Sequence, residues 1–474
     1  MKYRFIITIF MMSLTPAMVF SEEPSSGSRS ISYDYYIEAV EKALPEIKGN
    51  EMNVLSAENK ITGAKSNGDI SVNAGGSAYS NKDYSRITGK GDIRGYDYYA
   101  GLSKTITSTG TTVSGTYNYT KNSYSGYTTS PDFSSYAPSY TVKVAQPLLY
   151  NFLGKVDSYA ENDAEMKHEI AKIQLQENNK SVLNAYKKLY FQWIMYRENI
   201  KNLDNAIWNS NILKERIRKK VSAGLADDDD YQGAVTSVLN YTNQRREHLT
   251  LLKNTENQIY LYLDIKSAAP DEKFFDDIYV KSSTSDLSEI DFAKTASARI
   301  MDLTMKNYAY SKGVYENRLL PQLNVYAGMT KKDFSETRTY GAKDTDYNVG
   351  FEFRYSLENN AAESSLKDIE IQIKSLQYSY KSTENAYKKQ LLVYIESSNG
   401  IIEQLQTKEK TLEAMESKLV TEKRKYNQAR LNLSYVIDTE NSITAEKNNI
   451  LALKYRLIGN YIDYMDLVKQ ESKK

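Results

Sequence analysis

The sequence predicts a mainly α chain of long helical hairpins with an antiparallel β part, and it predicts that this plan is written twice. Three observations carry the reading. Asn184–Lys188 (NAYKK) returns at Asn385–Lys389, and Ser80–Ser85 (SNKDYS) is echoed by Thr330–Ser335 (TKKDFS), in the same order. Ordered echoes far apart are the mark of an internal duplication. Apolar residues seven apart run through a stretch without Pro or Gly from Glu161 to Val221, and a similar pattern follows Asn385. Between these stretches the apolar period drops to two, the spacing of strands with one apolar and one polar face.

The first residues read as a secretory leader over 1–21. Lys2 and Arg4 give the charged start, Phe5–Leu14 the apolar stretch, and Val19 and Ser21 suit cleavage before Glu22. That apolar stretch is too short for the ~20 residues of a spanning helix, and no later segment is long enough either. With no Cys, neither a lipid-anchored Cys nor a disulfide framework is possible, so burial or oligomerisation must hold the chain. Removing the leader leaves 59 basic residues, two fewer than the full chain's 61, against 60 acidic ones. A net charge near zero offers nucleic acid no general attraction.

Residues 33–66 have helical spacing, with breaks expected near Pro45 and Gly49. About four strands are expected over 70–150, where Gly, Ser, Thr and Tyr dominate. One alternates Val113, Gly115, Tyr117 and Tyr119 against Ser114, Thr116, Asn118 and Thr120; another alternates Tyr140, Val142 and Val144 against Thr141 and Lys143. In the second half, Tyr347, Val349, Phe351, Phe353 and Tyr355 oppose Asn348, Gly350, Glu352 and Arg354, within two strands expected at 321–356. Alternation alone does not say whether the apolar face meets a protein core or lipid.

The long helix of the first half carries Leu175, Val182, Leu189, Tyr196 and Leu203 seven apart, with Tyr186, Trp193, Ile200 and Ile207 in step. This is a coiled-coil seam. Leu405, Leu412, Leu419 and Tyr426 answer it in the second half. An arm of this length spans roughly 90 Å, more than a globular core needs. Short breaks near 222–230 and 427–435 are the expected tips, each followed by a returning helix. The last of these repeats Val436, Ile443, Ile450, Leu457 and Tyr464. Residues 266–289 read as an irregular link between a first repeat at 22–265 and a second at 290–474.

The copies differ in one respect. Asp83 to Asn184 spans 101 residues but Asp333 to Asn385 only 52, so the first copy holds 49 more. The surplus contains two strand-like runs, within 96–121, around the tight turn TSTGT at Thr107–Thr111. It reads as a second hairpin, expected to join the sheet rather than stand above it.

Catalytic chemistry is hard to find. His168 and His248 fall on expected helices outside any catalytic pattern, and read as solvated positions. Gly89–Gly95 (GKGDIRG) lacks a strand-to-helix context and reads as a loop, not a phosphate cradle. The run Asp227–Asp230 suits the free N–H groups that open a helix better than a cation site. No metal or cofactor is expected, and no enzyme activity. The 41 Tyr fit aromatic girdles and seam stacking.

Several stretches resemble the TolC-type outer-membrane efflux proteins across essentially the whole mature chain. Glu316–Met329 (ENRLLPQLNVYAGM) resembles the family's helix-to-strand passage at a Pro, and Ala137–Lys155 (APSYTVKVAQPLLYNFLGK) its strand-to-helix exit. Lys219–Ala234 and Lys425–Ile458 resemble its two helical tips. The resemblance implies a homotrimer whose strands form one membrane β-barrel and whose helices continue it as a periplasmic tunnel. It also implies coupling to an inner-membrane pump through a periplasmic adaptor. Physics agrees, since a few strands from one chain leave open edges and closed membrane barrels start near eight.

Under this resemblance Lys143, Glu352 and Arg354 face the lumen, while Val113, Tyr117, Val142, Val349, Phe351 and Phe353 face lipid. Gly224 and Leu225 keep the family's tip pattern, and Ala429, with Arg430 and Leu431 after it, replaces the second tip's glycine; these five are the expected adaptor contacts. Asp438 matches a carboxylate of the periplasmic entrance, and Tyr435 stands where a second is expected. A trimeric coiled-coil stalk, structural or adhesive and without transport, is the rival reading.

Overall fold

A computed structural model describes residues 30–85, 89–128, 131–263, 268–284, 291–336 and 341–468. The expected leader at 1–21 lies outside them. Two helices of 64 and 68 residues, α3 (Tyr159–Ser222) and α7 (Asn360–Asn427), run the length of the helical part. Each is flanked by two shorter helices. Beside α3 lie α2 (Pro45–Ala64) and α4 (Asp228–Leu263); beside α7 lie α6 (Ala296–Arg318) and α8 (Leu433–Val468).

The remaining helices sit midway. In α1 (Tyr33–Ala43) the Ser32 side chain caps the N-terminus, accepting from Tyr35 N at 3.4 Å. The break before α2 falls at Leu44, where Pro45 takes the first helical position and lacks only an N–H that would be unpaired anyway. The second break expected near Gly49 does not occur, since Gly49 lies inside α2.

The expected irregular link contains regular elements. Its Ala269–Pro270 strand, β6, pairs in parallel with β1 (Ser30–Ile31), and α5 (Glu272–Thr284) follows. Phe274, Phe275 and Ile278 give α5 an apolar side that packs into the largest core cluster, with Tyr36, Tyr190, Phe191 and Trp193. The Tyr190 hydroxyl joins the two short strands, donating to Ile31 O at 2.8 Å and accepting from Asp271 N at 2.9 Å. Part of the tyrosine excess is thus spent at mid-length.

The seven-residue seam holds in α8, where Val436, Ile443, Ile450, Leu457 and Tyr464 are all buried. In α3 it holds only in part. Trp193, Ile200 and Leu203 are buried but Leu175, Val182, Leu189 and Tyr196 are half-buried, while Ile173, Tyr190, Ile194 and Ile217 are buried off the seam. The cause is company: α3 touches α2, α4, α6 and α8, so burial wraps round it instead of following one stripe.

The strands form one six-stranded antiparallel sheet. Its order is β2 (Ser71–Ser85), β3 (Gly89–Ile106), β4 (Thr111–Ser125), β5 (Phe133–Pro147), β7 (Gln322–Glu336) and β8 (Gly341–Arg354). The surplus hairpin is therefore in the sheet: residues 96–121 pair through β3 with β2 and through β4 with β5. The Gly89–Gly95 segment, expected as a loop, is the start of β3. Its glycines make room for aromatic rings, Tyr127 over Gly91 and Tyr79 over Gly95.

Sheet and helices meet at one junction. Leu148 N donates to Leu323 O at 2.8 Å and Asn151 N to the Asn317 side chain at 2.8 Å, joining the strand-to-helix exit to the helix-to-strand passage. Asn151 has φ 61° and its amide oxygen caps Val156 N and Asp157 N. Gly154, at φ 65°, lies against the backbone of Thr107, where any Cβ would collide. The TSTGT turn is thereby docked on the junction, and Gln146 Nε2 donates to Thr109 O at 3.0 Å.

Candidate functional site: the two sheet faces and the helical tips

Cross-strand partners lie on the same face of a sheet, so the register assigns every strand residue a side. Val113 pairs with Val144, Tyr117 with Tyr140, Val142 with Met329, Val349 with Ala327, Phe351 with Val325 and Phe353 with Leu323. Continued through β3 and β2, this face adds Leu102, Ala100 and Val72. All six residues expected to face lipid are therefore on one face, apolar through the middle of the strands apart from Lys104 opposite Val113. It is bare: Val349 is 80% exposed, Phe351 73% and Val72 73%. Among the described residues, the sheet meets the helical part through the short turns Lys65–Gly68 and Phe152–Gly154 at its lower end.

The opposite face is polar. Lys143 pairs with Ser114 and Gly328, Glu352 with Asn324, and Arg354 with Gln322, so the three residues expected in the lumen share this side. Thr141 and Thr330 hydroxyls meet at 3.1 Å, and the Lys143 ammonium sits 4.1 Å from the centre of the Tyr326 ring. The two edge strands of the described sheet are β2 and β8.

At the first tip α3 ends on Gly224, φ 66°, with Leu225 N donating to Lys220 O at 2.8 Å and Gly224 N to Val221 O at 2.9 Å. These are the paired bonds of a Schellman cap. The second tip has the same geometry: Ala429 at φ 55°, Arg430 N to Lys425 O at 2.9 Å and Ala429 N to Tyr426 O at 3.0 Å. Ala429 thus occupies a left-handed position that glycine fills at the first tip. Leu225 and Arg430 are exposed and Leu431 is half-buried. Asn432 then caps α8, its side-chain oxygen accepting from Ser434 N at 2.9 Å.

The tips are packed together. Ile217, Ala234, Leu433 and Val436 form one cluster, and the Lys220 ammonium lies 4.1 Å from the Tyr426 ring centre. Lys423 and Glu440 form an ion pair at 2.7 Å. Asp438 and Tyr435 both point away from this core on the exposed side of α8. Asp228, Asp229 and Asp230 occupy the first turn of α4, where acidic groups oppose the helix dipole. Burial, with Asp227 and Asp229 nearby, pushes the Asp230 carboxyl up.

The histidines are not the solvated positions expected. His168 and His248 are half-buried with Nδ1 enclosed, His248 lies against Tyr196, and burial holds its imidazole below the usual range. Sequence reasoning also missed Asn151 and Asn317, whose contact spans 166 residues. The only signal was their place inside the two junction stretches.

No protein-family model and no curated protein matches the chain. Solved structures do. The chain matches CusC over 95% of its own length and 96% of that protein's, with TM-score 0.67 and 11% identity. It matches the outer-membrane protein VceC of Vibrio cholerae over 92% and 95%, with TM-score 0.63 and 12% identity. It matches the open MtrE outer-membrane channel of Neisseria gonorrhoeae over 93% and 91%, with TM-score 0.62 and 10% identity. Identities of 10–12% speak for the fold, and the chain has the fold of the TolC-type outer-membrane efflux channels.

Proposed function

We propose that the chain is an outer-membrane export channel, in which three copies close their sheets into one barrel and their helices extend it as a periplasmic tunnel. The observation that carries this is the bare apolar face of the sheet, backed by a polar one. In water such a face is a large exposed patch; in a bilayer it is the lipid-facing wall, with Lys143, Glu352 and Arg354 toward the lumen. Strands β2 and β8 supply the edges to be joined. They run in opposite directions within one chain, so β8 of one copy meets β2 of the next antiparallel, as all neighbours in the sheet do. Three six-stranded sheets give eighteen strands.

The channel is passive and leaves its cargo chemically unchanged. The halves 22–265 and 290–474 act as duplicated repeats that share the wall. Gly224, Leu225, Ala429, Arg430 and Leu431 meet a periplasmic adaptor, which couples the tunnel to an inner-membrane transporter. Asp438 from three copies forms the constriction, with Tyr435 one turn earlier on the same helix face. Such a ring of carboxylates attracts cations and repels itself when closed. A stalk without transport has no use for a bare apolar sheet face.

Recordings in planar bilayers test the reading. The purified protein should conduct, Asp438→Asn should weaken cation selectivity, and Tyr435→Ala should raise resting conductance. A protein that inserts in no bilayer and carries no current would return the stalk to first place. Conduction unaffected by either substitution would move the constriction elsewhere.

A further inference from the structure

The apolar face does not stay apolar along the whole strand. Beyond a band of aliphatic and Tyr side chains, in the half of the sheet far from the helices, the register puts Lys82, Lys90, Arg94, Lys121, Lys331 and Lys343 on that same face. Lys90 pairs with Tyr84, Arg94 with Ser80, Lys121 with Tyr96, and Lys331 with Tyr140. Among the described residues of that face, only Asp92, opposite Lys82, and Asp333, opposite Lys343, carry negative charge. On the other face, at the same height, the signs reverse: Asp83, Asp97, Asp344 and Asp346 stand against Lys332. Amphipathic patterning requires only that strand ends be polar. It does not require cations on one side and anions on the other.

We propose that these cations form an outward collar that binds the phosphate-bearing head groups of the lipids around the barrel. The inference rests on the channel reading, which sets this face toward lipid. The height fits. On β3 this face from Ile106 to Tyr96 covers ten residues, with Lys104 its one charged residue, next to the end nearest the helices. That is roughly 34 Å along the strand and roughly 25 Å along the membrane normal at the usual tilt, the height of a hydrocarbon band. Tyr96, Tyr98, Tyr117, Tyr119 and Tyr140 close the band as its interfacial row, and the collar comes next, at head-group level. Two of its ammonium groups are held over rings of the same face, Lys90 at 5.6 Å from the Tyr84 centre and Lys121 at 5.4 Å from that of Tyr136. Six cations against two carboxylates leave net positive charge, and the Lys343–Asp333 pair at 3.5 Å neutralises only one cation. The ligand is therefore an anion of the bilayer itself, a lipid phosphate, attracted more strongly at low salt.

Native mass spectrometry of the detergent-purified full chain, exposed to equal amounts of diphosphorylated lipid A and phosphatidylcholine, tests this. The protein should retain lipid A at least tenfold over phosphatidylcholine at 0.1 M salt, with the preference falling in 1 M salt, about three times the screening. Lys82→Gln, Lys90→Gln, Arg94→Gln, Lys121→Gln, Lys331→Gln and Lys343→Gln together should abolish the preference. Lys143→Gln with Lys332→Gln, on the opposite face, should leave it intact. Should the sixfold variant fail to fold, Arg94→Gln and Lys121→Gln alone should each lower the preference two- to threefold. Equal retention of both lipids by the unaltered protein, or an unchanged preference in the collar variants, overturns the proposal. Conductance in phosphatidylcholine bilayers separates the two readings: a conducting protein without lipid preference sinks the collar alone, and one that never inserts sinks both.

Discussion

Ala429 holds φ at 55° at the second tip, a conformation costing a residue with a Cβ roughly 1 kcal/mol or more. Gly224 holds φ at 66° at the first tip with nothing within 4 Å of where a Cβ would stand, so only the backbone is at stake there. Gly224→Ala should weaken the cap by about 1 kcal/mol and speed hydrogen exchange at the Leu225 amide about fivefold. Ala429→Gly should slow exchange at Arg430 by a similar factor; unchanged rates at both amides would mean the caps open with the whole tip. A second residue-scale expectation concerns alkali. Burial pushes Tyr190 up to about 12 and raises Tyr33 and Tyr36 too. Unfolded, each ionises near 10. Their contribution is whole below about pH 10 and is lost as the pH climbs toward 12, because the unfolded chain then releases protons the folded one keeps. The melting temperature should hold to about pH 9.5 and fall above it, less steeply in Tyr190→Phe. An identical slope in that variant would locate the alkaline weakness elsewhere.

Among the elements, a helix was legible where its seven-spaced residues are the buried ones. The α8 seam was readable because all five of its seven-spaced residues are buried, although Leu433, Ile458 and Ile462 are buried beside it. The α3 seam was readable only in part, because helices pack on several sides of it and Leu175, Val182, Leu189 and Tyr196 are only half-buried. α5 was missed as an element although Phe274, Phe275 and Ile278 have helical spacing, since its apolar side is short and is completed by α1 and α3. The Gly89–Gly95 strand was missed because its glycines serve rings from Tyr79 and Tyr127, partners that local spacing does not reveal. Strand alternation, by contrast, put the residues expected on the lipid side on one face and those expected on the lumen side on the other, since a period of two leaves only two choices. Single Cys residues test that sorting in membranes. Those at Val113 and Tyr117 should resist aqueous thiol reagents, and those at Ser114 and Thr116 should react. Equal labelling of all four would put this hairpin in water.

At the scale of the whole molecule, one chain is an incomplete object. Its sheet ends on the edges β2 and β8, one face of that sheet is apolar and bare, and long helices expose Leu392, Val393 and Val420. The junction at Asn151, Asn317 and Gly154 fixes sheet and helices together, so whatever closes the sheet also sets the spacing of the helices below it. Closure by further copies, as proposed above, would pair both edges. The mass of the protein in its detergent particle, measured by light scattering with the detergent subtracted, asks this directly. The account predicts three chains per particle; a folded particle containing one chain, stable on dilution, would contradict it.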